Sequence, residues 1–171
     1  MRESAINIDK NIIIAEIISQ LQQELTLALV AADNAHKAAT DDQSLAETQY
    51  DTLAIEQSYL AEGQSRRVAE IRQAIKSFED FPANLAEKQK NIVLGSLVQM
   101  EQDIAKQQWF FITSAAGGHR CQITEQDILV SITLITPQSP MGAALLGKEL
   151  NDEVKLSIGN KTLCDFITDI K

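Results

Sequence analysis

The sequence predicts an α + (α+β) protein, with an N-terminal antiparallel two-helix coiled-coil hairpin followed by a small domain built on an antiparallel sheet with one short helix. Three observations predict it. Small and apolar residues recur at alternating steps of four and three along two long proline-free runs. A short polar stretch, "KAATDDQSLAETQYDT", separates those runs. Beyond Pro82 the chain changes to short runs rich in Val, Ile, Thr and Phe.

The first helix carries its seam on Ile14, Ile18, Leu21, Leu25, Ala28, Ala32, Ala35 and Ala39. The second repeats the alternation on Tyr50, Ala54, Gln57, Ala61, Gln64, Val68, Ile71, Ile75 and Phe78, with glutamine at two seam positions. Two helices of similar length joined by a short turn fold back on each other. Pairing outward from the turn sets Ala35 near Tyr50, Ala32 near Ala54 and Leu25 near Ala61. Roughly 30 residues per helix make a rod about 45 Å long, more than a chain of 171 residues needs for packing alone.

Pro82 ends the second helix, so the hairpin is assigned to 1–82 and the second domain to 83–171. Five strand-like runs follow: "NIVLGSLVQM", "QWFFITSA", "DILVSITLI", "EVKLSIG" and "KTLCDFITDI". "AAGGH" and "IGNK" read as hairpin turns. Between the third and fourth runs, Ser139 is a good N-cap, Pro140 suits the first helical position and Gly147 suits the C-terminal cap, which predicts a two-turn helix.

Composition narrows the function. A hydrophobic content of 44% fits a folded globular chain, and a formal net charge of −9 argues against a broad phosphate-binding surface. Cys121 and Cys164 are far apart and lack the spacing of a zinc site or disulfide framework, which fits a reducing cytoplasm. His36 and His119 have no ligand partners nearby in sequence, and ordinary surface or turn roles account for them. No stretch approaches the ~18 consecutive apolar residues of a membrane span, and the N-terminus, with Glu3 and Asp9, has no signal-peptide organisation.

"VLGSLVQM", "QWFFITSAAGG", "SPMGAALLGKELNDEVKL" and the closing "FITDI" together resemble the C-terminal domain of the Gre family of bacterial transcript-cleavage factors. "EQSYLAEGQ" is similar to the family's second helix, so the resemblance covers roughly 10–171. It implies an FKBP-like fold for the second domain. It also implies a partner, bacterial RNA polymerase, with the globular domain docked at the rim of the secondary channel and the hairpin inside it. Polymerase affinity would reside mainly around Ser139, Pro140, Met141, Leu145 and Leu146, with Ser139, Pro140 and Met141 the better contact candidates because Leu145 and Leu146 also suit packing of the helix. Acids at the hairpin tip would help hold a second Mg²⁺ in the polymerase active site, since hard carboxylate oxygens suit that ion. On this reading the chain is no enzyme, has no cofactor of its own, and acts as a cytoplasmic monomer that stimulates cleavage by the polymerase.

Charge gives the tip its interest. From Ala38 to Ser65 the acids are Asp41, Asp42, Glu47, Asp51, Glu56 and Glu62, with no Lys or Arg among them. Ser44 and Glu47 form a capping box for the second helix, and acids in a first turn favour the helix dipole. Capping leaves Glu56 and Glu62 unexplained. The family pattern Asp-Leu-Ser-Glu-Asn-Ala-Glu-Tyr, laid down without gaps, matches Tyr50 but sets its Asp on Gln43 and its first Glu on Ala46. A one-residue slip brings Asp42 and Glu47 near those places, which makes them the candidate tip residues, with Asp41 and Asp51 in reserve. The alternatives are a channel-occupying regulator that does not promote cleavage, and a structural protein that dimerises through its coiled coil. An FKBP-like fold also raises prolyl isomerase activity, with Trp109, Phe110 and Phe111 lining a pocket. In an aromatic-poor chain such a cluster is more often strand and core.

Overall fold

The computed structural model describes residues 8–40, 51–81, 90–103, 105, 107–125, 127–159 and 161–171. Two helices come first, α1 (Lys10–Thr40) and α2 (Asp51–Glu79). Asp9 starts α1 as an N-cap, its Oδ1 accepting the Asn11 backbone N–H at 2.8 Å. Among the described residues six strands and one short helix follow: β1 (Leu97–Met100), β2 (Gln108–Ile112), β3 (Arg120–Glu125), β4 (Ile128–Ile135), α3 (Pro140–Leu145), β5 (Glu153–Ile158) and β6 (Lys161–Ile170).

The chain divides into two compact units. One is Ile18–Glu79; the other takes in the start of α1 up to Ile17 together with Asp80–Lys171. Within the hairpin unit, each predicted seam residue whose side chain is described is buried or half-buried, from Ile18 to Ala39 on α1 and from Gln57 to Phe78 on α2. Arg67 Nη2 reaches Glu24 Oε2 at 2.9 Å across the pair. Both residues occupy the g position of their heptads, and ion pairs at such flanking positions set coiled-coil register. In an antiparallel pair this contact sets Leu21 level with Val68, Leu25 with Gln64, Ala28 with Ala61 and Ala32 with Gln57. That register differs by about three residues from the pairing measured outward from the turn. The turn-based count assumed a tight reversal, whereas the ion pair is a direct tether.

The sheet runs in the order β3-β4-β2-β1-β6-β5. It is mixed rather than wholly antiparallel, because β2 and β4 pair in parallel, Trp109 opposite Ile132 and Phe111 opposite Leu134. The reason lies in β3, a sixth strand that the sequence reading left out. It pairs with β4 from Arg120↔Thr133 to Glu125↔Ile128, so "AAGGH" leads from β2 to an edge strand instead of turning a hairpin. "IGNK" does turn a hairpin, β5 to β6. On one face of the sheet Val98, Met100, Ile112, Ile135 and Ile167 pack with Leu145 of α3. Trp109, Phe111, Leu97, Ile132 and Leu134 are buried on the other face, where the Phe81 ring meets Phe111 edge-on at 5.7 Å. Ile8, Ile13, Ile14 and Ile17, all buried, belong to this same unit.

Candidate functional site

The predicted contact helix is built as its residues dictate. Ser139 has extended backbone, its Oγ accepts the Gly142 N–H at 3.0 Å and its hydroxyl donates to the Thr136 carbonyl at 2.7 Å. Pro140 occupies the first turn, where its missing N–H costs no hydrogen bond. Gly147, at φ +78, follows the C-cap Leu146 in the left-handed conformation that glycine adopts most readily. The next turn is held by the Asp152 carboxylate, which accepts the Glu149 N–H at 2.8 Å.

These residues have different surroundings. Pro140 is exposed and Met141 half-buried, so both present atoms to solvent. Ser139 is half-buried, with its hydroxyl engaged in the cap. Leu145 is fully buried in the sheet core and anchors the helix there. Met141 also lines a pocket of about 310 Å³ with Met100, Phe110, Val154, Leu156 and Leu163, its polar members including Asp103 and Asp165. Sequence reasoning named Phe110 within an aromatic trio. Strand alternation splits that trio, sending Phe110 toward the pocket and Trp109 and Phe111 into the opposite core. Met100 and Leu163 were missed because they join the pocket through non-local strand pairing.

Of the tip candidates, Asp41, Asp42 and Glu47 lie outside the described residues. Asp51 opens α2. Farther along the hairpin the structure describes Glu56 and Glu62, both exposed. Glu62 pairs with Arg66 at 3.2 Å along α2. Among the described residues, no group of three or more His, Cys, Asp or Glu side chains is arranged to hold a metal ion. The two cysteines contrast. Cys164 is exposed, while the Cys121 thiol is pushed up to about 11 by burial, with the Glu16 carboxylate adding to the shift.

The fold and site together define a helical-hairpin protein with a six-stranded α+β domain that carries a capped helix beside an apolar pocket. Among solved structures, the chain is similar to the GreA factor homolog 1 (Gfh1) protein of Thermus thermophilus, at 19% identity and a TM-score of 0.33, covering 92% of each chain. It is also similar to a structure of the transcription factor Gfh1, at 23% identity and TM-score 0.35 over 90% of this chain and 92% of that one. Thermus aquaticus Gfh1 is similar at 22% identity and TM-score 0.31, over 89% of this chain and 92% of that one. No protein-family model and no curated protein matches.

Proposed function

We propose that this chain is a Gre-like factor that binds bacterial RNA polymerase, places its hairpin in the secondary channel, and modulates elongation in the cytoplasm. The observation that carries the reading is the pairing of a long two-helix rod with a charge distribution of one sign. α2, which lies wholly in the hairpin unit, has 29 residues, which at 1.5 Å per residue is about 44 Å. From residue 38 to residue 65, on both sides of the turn, the sequence has six acids and no Lys or Arg. A rod built only for packing would mix signs to gain i,i+4 pairs. Docking belongs to the second domain, where Pro140 and Met141 face solvent on a helix fixed by Ser139 and Leu145. Asp42 and Glu47 act at the tip. Their carboxylate oxygens suit the Mg²⁺ that the polymerase itself supplies, and the chain contributes charge and position to chemistry that is the polymerase's own.

A second reading has its own observation. The ungapped family pattern sets Gln43 and Ala46, neither of them acidic, where the tip acids belong. That favours a regulator that occupies the channel without promoting cleavage. One experiment separates the two. A stalled, backtracked elongation complex is incubated with the wild-type chain or with the Asp42→Asn, Glu47→Gln double variant. For a cleavage factor, wild type shortens the transcript at its 3′ end and the double variant binds with nearly unchanged affinity but does not shorten it. Binding without shortening by wild type identifies the channel-occupying regulator. If the tip acids only serve the helix cap that the sequence predicts around Ser44, the variant loses about 1 kcal/mol of stability and keeps its full effect on transcription.

A further inference from the structure

The hairpin is inside-out at one level. Where Ala28, Ala32, Gln57 and Ala61 form the seam, large apolar side chains face solvent: Leu27 is 72% exposed, Tyr59 70%, Val30 56%, Leu60 56%, Ile55 54% and Leu29 41%. A coiled coil built for its own stability puts leucine in the seam and polar residues outside. Here small and polar residues make the rod thin, and large apolar groups stand on its exterior among the acids.

The register set by Arg67 and Glu24 brings these residues together. Leu27–Val30 of α1 lies level with Tyr59–Glu62 of α2, and Ile55 is about one turn nearer the tip. At about 100° per residue, Leu29 and Leu60 fall on opposite flanks of the seam. Leu27 and Val30 fall toward the back of α1, and Ile55 and Tyr59 on the back of α2. The six therefore form a collar around the rod, roughly 17 Å below the end of α1. Their exposure as a group exceeds the scattered single leucines of ordinary surfaces.

The arrangement selects its occupant. A bilayer or the face of a second copy would cover one side of the rod and leave the others wet. A ring of apolar groups is buried only by something that surrounds it. In the stretches level with the collar, 25–36 and 51–65, the sequence has the acids Asp33, Asp51, Glu56 and Glu62 and no Lys or Arg, with Glu62 held by Arg66 just beyond, so the face of a second copy would offer these acids no matching cations. We infer that the collar is a gripping surface for a protein socket that encircles the hairpin, with an apolar wall carrying basic groups, and that it fixes the depth at which the tip stops. This rests on the channel reading and adds to it a contact independent of both the tip acids and the docking helix.

The test uses the full chain and bacterial core RNA polymerase. Leu27→Ser with Tyr59→Ser removes two outward-facing apolar groups, and Leu27→Met with Tyr59→Phe preserves them. Helical circular dichroism and melting temperature check that both variants fold like wild type. The expected result is a ten-fold or greater loss of polymerase affinity for the serine variant, with the methionine–phenylalanine variant at the wild-type value. Equal binding by wild type and the serine variant overturns the collar while leaving the channel reading standing. No binding by wild type overturns the channel reading itself. Because α1 is long and apolar enough by length and composition to cross a bilayer, sedimentation with phosphatidylcholine–phosphatidylglycerol vesicles is run alongside. Vesicle binding lost in the serine variant, or a wild-type dimer lost in it, assigns the face to a membrane or a second copy and overturns the socket.

Discussion

Gly142 shows how closely single residues set α3, the helix proposed to dock. A methyl group there would come within 2.0 Å of the Thr136 carbonyl oxygen and 3.0 Å of Ser139 Oγ. The obstacle is backbone, which cannot swing aside as a side chain does, and the same carbonyl accepts the Ser139 hydroxyl. Gly142→Ala should therefore cost about 2–3 kcal/mol as α3 is pushed off the sheet, measured by urea denaturation. If α3 docks on polymerase as proposed, the variant should also bind it more weakly, because Pro140 and Met141 move with the helix. A variant as stable as wild type would mean that α3 can shift freely on the sheet. The cap itself was legible in advance because Ser139, Pro140 and Gly147 act through local geometry. The close approach at Gly142 was not, since its partner atom belongs to the chain before the helix and its distance depends on tertiary packing.

Among the elements, the coiled-coil seam was readable residue by residue because burial in a two-helix rod follows local periodicity. β3 carried a readable signal too. In Arg-Cys-Gln-Ile-Thr-Glu, Cys121 and Ile123 are buried while Gln122 and Thr124 are exposed, a period-two alternation. It lies at the sheet edge, and unlike the central strands β1, β2 and β4 it has no dense apolar run. The parallel pairing of β2 with β4 had no local signal at all. In the hairpin, Gln57 is the element's weak point. It is half-buried in the seam level with Ala32, and its Oε1 is buried without a hydrogen-bond partner among the described residues. Gln57→Leu removes that unmet acceptor and adds apolar contact, so it should stabilise the hairpin by about 1 kcal/mol. Thermal denaturation followed by helical circular dichroism checks this, and a lowered melting temperature would show that the glutamine finds a partner in solution.

For the whole molecule, the division of the chain does not follow its sequence. The compact unit that holds the sheet starts at the N-terminal end of α1, through Ile17, and resumes at Asp80. The heptad seam does not mark the boundary by itself, but the apolar face broadens there: Ile13 and Ile17, both fully buried, each lie one residue off the seam positions Ile14 and Ile18. A fragment spanning 84–171 would keep every strand but lose Ile8, Ile13, Ile14, Ile17 and Phe81 from the sheet unit. Trp109, Phe111 and the neighbouring face would then meet water, at a cost of several kcal/mol on the usual scale of apolar burial. Cys121, whose side chain pairs across from Ile132 in that layer, reports on the loss. In the intact chain its raised thiol pKa, about 11, leaves almost no thiolate at pH 8, so a thiol reagent should modify the exposed Cys164 quickly and Cys121 only on unfolding. In the 84–171 fragment both thiols should react at comparable rates, with enhanced binding of an apolar dye. A fragment that protects Cys121 and unfolds as cooperatively as the full chain would show instead that the sheet needs no cover from α1.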